Sequence, residues 1–204
     1  MTRTLAVVTA GLSQPSSSRL LADRLAAGTV TALGDDVDVE VIELRDFAVD
    51  VTNNLLTGFP SPKLRAAIDT VERADGLIVV TPVFTASYSG LFKSFFDVLD
   101  QGVLEGKPVL LGATGGTERH SLVLDLQLRP LFGYLRATPA PTGVYAASSD
   151  WGGGEALGAL QKRVERAGGE LAAMVAGRPA TAGQAREPFA SVPFEQLLAG
   201  TDGQ

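Results

Sequence analysis

Apolar residues along the chain fall into two alternating patterns. Short unbroken runs, TLAVVTA (4–10), GLIVVTP (76–82), KPVLLGAT (107–114) and PTGVYAA (141–147), predict strands buried on both faces. The segment DVDVEVIEL (36–44) alternates charge with Val and Ile and predicts a strand with one wetter face. Between the runs the spacing turns helical. Leu21, Leu25 and several alanines mark a helix over Ser16–Gly28, and the cap pair Ser61-Pro62 opens another that reaches about Ala74. Leu91, Phe95 and Leu99, flanked by Phe92 and Phe96, form a third stripe. Leu124, Leu128, Leu131 and Leu135 predict a long fourth helix, and 154–176 a last one. Residues 45–60, rich in Asn, Gly and Pro, are expected to be a loop.

Strand and helix thus alternate five times, the signature of a doubly wound, five-stranded parallel α/β sheet with helices on both faces. Pro139 and Pro141 suit the fifth strand to a sheet edge, where a missing N–H is harmless. One domain over 1–176 accounts for the pattern. Residues 177–204 hold three prolines and no long periodic run, and are expected to be a tail.

Composition narrows the chemistry. The 204 residues carry a net charge of −6 with Lys and Arg scattered, so no basic stripe invites nucleic acid. With no cysteine, disulfides, thiol catalysis and cysteine metal sites are excluded, and the single histidine, His120, excludes a multi-histidine metal site. No apolar run is long enough to cross a bilayer, and MTRTLAVVTAG reads as a first strand rather than a signal peptide. A cytoplasmic location is expected.

In open parallel sheets ligands sit beyond the carboxyl ends of the strands, near the topological switch point. Three loops there are rich in Gly, Ser and Thr. AGLSQPSSSRLL after the first strand offers Ser13, Ser16, Ser17 and Ser18 around a helix start, more hydroxyls than capping needs, in a setting that favours phosphate. Arg19 either pairs that phosphate or is solvated. TPVFTASYSG after the third strand offers Pro82, Val83, Phe84 and Thr85, an uncharged wall for a flat heteroaromatic ring or a plain β-to-α turn. ATGGTERH after the fourth brings Thr114, Gly115, Gly116 and Thr117, where the glycines allow close approach of a ligand or serve the turn alone.

Competing motifs are missing. GxxxxGK[ST], GxGxxG after the first strand and GxSxG do not occur, and the third strand ends in Thr81-Pro82 where a receiver domain would want an aspartate. The cluster Asp35, Asp36, Asp38, Glu40 reads as a solvated turn and face. Phe92, Phe95 and Phe96 read as core or subunit contact.

Together the three loops resemble those of the NADPH-dependent FMN reductases of the flavodoxin-like fold, particularly the reductases that supply reduced flavin to two-component monooxygenases such as alkanesulfonate monooxygenase. The likeness rests on TPVFTASYSGLFKSFFDVLD and ATGGTERHSLVLDLQLRPLFGYLRA, with the serine-rich GLSQPSSSRLL in the place of the family's phosphate loop. It runs from about residue 4 to 147. Strand order 2-1-3-4-5 is implied. So is an FMN whose phosphate meets Ser13, Ser16, Ser17, Ser18 and Arg19, whose ring meets Pro82, Val83, Phe84 and Thr85, and whose other edge is closed by Thr114, Gly115, Gly116 and Thr117. NADPH or NADH would deliver hydride to ring nitrogen N5, with no side chain needed as general acid or base.

The Phe92/Phe95/Phe96 face and the leucine-rich fourth helix offer more apolar surface than one sheet face can cover, so a homodimer or homotetramer is expected, with the tail, through Phe189, Phe194, Leu197 and Leu198, as an inter-subunit arm. Leu12 and Gln14 depart from the family's usual phosphate-loop residues, and Leu126 departs in the fourth helix, which leaves open whether FMN stays bound or leaves as a substrate. The alternatives are a flavodoxin-like electron carrier and an NAD(P)H-dependent quinone or azo reductase.

Overall fold

A computed structural model describes residues 2–34 and 36–178. Strand β1 (Arg3–Thr9) leads into helix α1 (Ser17–Leu33), then β2 (Val37–Glu43), a 3-10 turn (Leu44–Phe47), α2 (Ala48–Thr57) and α3 (Pro62–Arg73). After these come β3 (Gly76–Phe84), β4 (Ser87–Tyr88), α4 (Gly90–Asp97) and β5 (Pro108–Gly115). A wide π turn (Leu124–Leu128) runs directly into α5 (Arg129–Tyr134), followed by β6 (Thr138–Pro139), β7 (Val144–Ala147) and α6 (Gly154–Ala176).

The sheet runs β2-β1-β3-β5, with β6 and β7 both parallel to β5 at the far edge. Counting β6 and β7 as one interrupted strand gives the flavodoxin-like order 2-1-3-4-5. Strands number seven rather than five for two reasons. Pro139 and Pro141 cannot donate to a ladder, so the edge strand pairs in two pieces. In addition, β3 runs two residues past Pro82 and folds back on itself, with Val83 opposite Tyr88 and Phe84 opposite Ser87.

Burial on both faces explains the unbroken apolar runs. Within β1, Ala6 and Val8 join a core beneath α2–α5, whereas Leu5 and Val7 join a second core beneath α1 and α6. Strand β2 sits at the opposite edge and is largely exposed, as its charge alternation requires. The expected loop over 45–60 is instead a 3-10 turn and a helix, closed by Gly58 at φ 77°. Its turn-forming asparagines are outweighed by Leu44 and Val51, which are fully buried. Phe92, Phe95 and Phe96 lie inside the first core, where Phe96 meets Phe132 at 5.0 Å between ring centroids. They are therefore core residues and leave nothing for a subunit contact. Lys107, also buried, donates to the carbonyls of Val71, Glu72 and Ala74 at 2.7–2.8 Å and so closes the carboxyl end of α3. The tail residues named above lie outside the described residues.

Candidate active site

Register brings the three loops together. Pro82 stands opposite Thr114, and Gly115 opposite Ala147, so the exits of β3, β5 and β7 lie side by side. The loop after β1 joins them at the switch point between β1 and β3. There they enclose a cavity of about 340 Å³, lined by Gly11, Leu12, Ser13, Ser16, Ser17, Ser18, Pro82, Val83, Phe84, Thr114, Gly115, Gly116 and Ser148. No lining residue carries a charge. Ten of the thirteen expected site residues are thus in one place. A groove of similar size between α1 and α6 touches only helix faces, among them Arg24 and Glu165, and no strand exit.

Each wall has its own support. Ser16 caps α1, its hydroxyl accepting from the Arg19 amide at 3.2 Å, which leaves the amides of Ser17 and Ser18 with no intrahelical acceptor. Ser18 is buried and shares a 2.7 Å hydrogen bond with Thr114, tying the first loop to the third. Ser13 donates to the Pro15 carbonyl. The Ser17 hydroxyl has no hydrogen bond among the described residues. Gly11 is required by close packing, since a Cβ there would stand 1.9 Å from the Ser16 hydroxyl oxygen.

The β3 exit is fixed at its base by buried Thr81, whose hydroxyl accepts from the Ser89 amide and donates to the Pro82 carbonyl. Beyond it Phe84 is 46% exposed at the cavity mouth. The third loop rests on Tyr145, whose hydroxyl donates to the Thr117 carbonyl at 2.7 Å. Burial, then the charges of Glu118 and Asp150, push that phenol above its ordinary value, so it stays a donor at neutral pH. A Cβ on Gly115 would meet the Tyr145 oxygen at 2.2 Å, while one on Gly116 would meet nothing within 4 Å.

Three expected residues stand apart from the cavity. Arg19 donates to Asp23 at 2.8 Å and to Glu43 at 2.5 Å. The Asp23 hydrogen bond, with both carboxylate charges, raises its guanidinium above the ordinary value despite partial burial. Thr85 forms the tip of the β3–β4 turn, and the Thr117 carbonyl is taken up by the Tyr145 hydroxyl. Sequence reasoning missed Gly11 and Ser148 as lining residues; the first was visible as the glycine ending a strand, the second as a serine following one. Leu12, noticed only as a departure, also lines the cavity.

The cavity fits a flat ligand with a phosphate. Serine hydroxyls and the free amides of α1 line one wall, the side chains of Pro82, Val83 and Phe84 another, and the volume lies within the ~300–1,000 Å³ of small-molecule sites. Among the described residues no group of carboxylates or histidine could hold a metal.

Residues 3–152 match the NADPH-dependent FMN reductase family. The chain belongs to that family. It is 44% identical over 144 residues to an FMN reductase (NADPH) of Pseudomonas aeruginosa, covering 71% of this chain and 76% of that protein. To the NADH-dependent FMN reductase SfnF of Pseudomonas fluorescens it is 42% identical, covering 74% and 81%. The crystal structure of an oxidoreductase from Corynebacterium diphtheriae superposes with a TM-score of 0.85 at 45% identity, over 87% of this chain and 99% of that one. Membership of the FMN reductases makes the chain an NAD(P)H-dependent oxidoreductase of FMN and favours that activity over an electron carrier or a quinone reductase. Among the described residues no helix is long and apolar enough to cross a membrane.

Proposed function

We propose that the cavity at the strand ends seats FMN, and that the chain uses it to pass electrons from reduced nicotinamide to a free flavin that then leaves for a partner monooxygenase. The observation that carries this reading is the uncharged cavity in which Ser13, Ser16, Ser17 and the free amides of α1 face Pro82, Val83, Phe84, Gly115 and Gly116. The α1 amides and serine hydroxyls hold the phosphate, with the helix dipole in place of a lysine. Arg19 and Glu43 sit behind them as a paired charge at the foot of α1. Pro82, Val83 and Phe84 take one edge of the ring, and Thr114, Gly115 and Gly116 the other. When bound, the flavin supplies a ring that accepts hydride at N5, so the protein needs only to bind and orient. Because the mouth is open at Phe84 and Ser17, both exposed, a nicotinamide and later an acceptor can reach the ring.

The activity belongs where reduced nicotinamide is kept, in the cytoplasm. Leu122, Leu126 and Tyr134, on the segment that follows the cavity's third loop, are 60%, 67% and 86% exposed at spacings of four and eight residues, and a second copy covers them in a homodimer or homotetramer.

Gly116→Val tests the ring assignment. A Cβ at Gly116 meets no atom within 4 Å, so the variant is expected to fold, with its side chain at the cavity wall where it would crowd a bound ring. NAD(P)H oxidation per folded molecule is expected to drop by about tenfold or more, the cost of overfilling a packed site. Unchanged oxidation would move the ring away from this loop.

A further inference from the structure

The turn that ends β3 is held in an unusual conformation. Thr85 and Ala86 have φ of 48° and 65° between the paired positions Phe84 and Ser87. Two consecutive left-handed residues make a type I′ turn, in which asparagine and glycine are the usual occupants. A β-branched threonine and an alanine adopt it at a conformational cost, which the surroundings must offset. What offsets it lies 41 residues on. The Gln127 side-chain amide donates to the Ala86 carbonyl at 3.1 Å, and its amide oxygen accepts from the Ser87 hydroxyl. Gln127 belongs to the π turn, whose Leu124 and Leu128 are anchored in the core. Thr85 and Ala86 are themselves exposed, while Gln127 is half-buried. Immediately before it stand Val83 and Phe84, which line the cavity.

We propose that Gln127 is a positioning residue for the ring-facing wall: by clasping Ala86 and Ser87 it holds the left-handed turn, and so sets where Val83 and Phe84 meet a bound flavin. This role rests on the cavity being the flavin seat. It gives the π turn a purpose, since the widened turn carries the clasp, and it acts on the ring end of the ligand alone.

The test is titration of FMN and of riboflavin by flavin fluorescence on wild type, Gln127→Glu, Gln127→Leu and the double variant Gln127→Leu/Ala86→Gly. Gln127→Glu keeps the shape and the acceptor for Ser87 but removes the N–H that Ala86 needs. Both single variants are expected to weaken FMN and riboflavin alike, by about tenfold, the worth of one or two hydrogen bonds. Ala86→Gly is expected to restore much of the loss, because glycine takes the left-handed conformation without a clasp. If Gln127→Leu fails to fold, Gln127→Glu carries the same comparison. Single variants that bind both flavins as wild type does, a loss confined to FMN, or a loss that Ala86→Gly leaves untouched would each overturn the positioning role while leaving the flavin seat intact. Wild-type protein that binds neither flavin overturns the seat itself and this role with it.

Discussion

Ser17 carries the sharpest residue-level consequence. Its neighbours are committed elsewhere, Ser16 to the helix cap and Ser18 to Thr114, while its own hydroxyl is exposed at the cavity and bonded to nothing described. Ser17→Ala therefore removes a donor to the phosphate without removing a cap. A hydrogen bond to a charged group contributes about 1.5–3 kcal/mol, so FMN affinity should fall by roughly ten- to a hundredfold. Riboflavin, which lacks the phosphate, should bind as before, and the melting temperature should not move. Equal losses for both ligands would place the phosphate elsewhere. Residue types and their loops were legible in the sequence, because hydroxyls and glycines after strands have few other reasons to cluster. Their partners were not. The Ser18–Thr114 bond spans 96 positions, and Arg19 turned to Glu43, 24 positions on in the neighbouring strand, through a pairing that only the β1–β2 register creates.

At the scale of elements, period alone located the strands and most helices, since burial on two faces or one stripe leaves a direct trace. It failed over 45–60, where a few buried anchors outweighed turn-forming asparagines, and at the edge strand that prolines split in two. Nor does the leucine repeat of the fourth helix reveal its π turn, because Leu124 and Leu128 are buried either way. That helix leaves Leu122, Leu126 and Tyr134 to solvent, and a second copy over this face implies a clear sensitivity. Leu126→Lys places a charge where apolar area is to be covered, so light scattering should show wild type as a dimer or larger and the variant shifted toward monomer. The side chain is already exposed in the single chain, so the fold is unaffected. A monomeric wild type at micromolar concentration, or a variant as large as wild type, would remove the face from the account.

For the whole molecule, the acidic chain, its cysteine-free composition and its alternating elements define a scaffold, and the scaffold's work is to present three loops at the carboxyl end of one sheet. The chemistry then asks little of side chains, which is why no titratable group lines the cavity. The central claim is that this cavity holds a flavin which reduced nicotinamide can reach. Its most direct test is the absorbance spectrum of the FMN-loaded protein in anaerobic buffer as NADPH or NADH is added. The flavin band is expected to bleach in a two-electron step with at least one of them, and oxidation to continue when free FMN is supplied. A flavin that dithionite bleaches and neither nicotinamide does would contradict it.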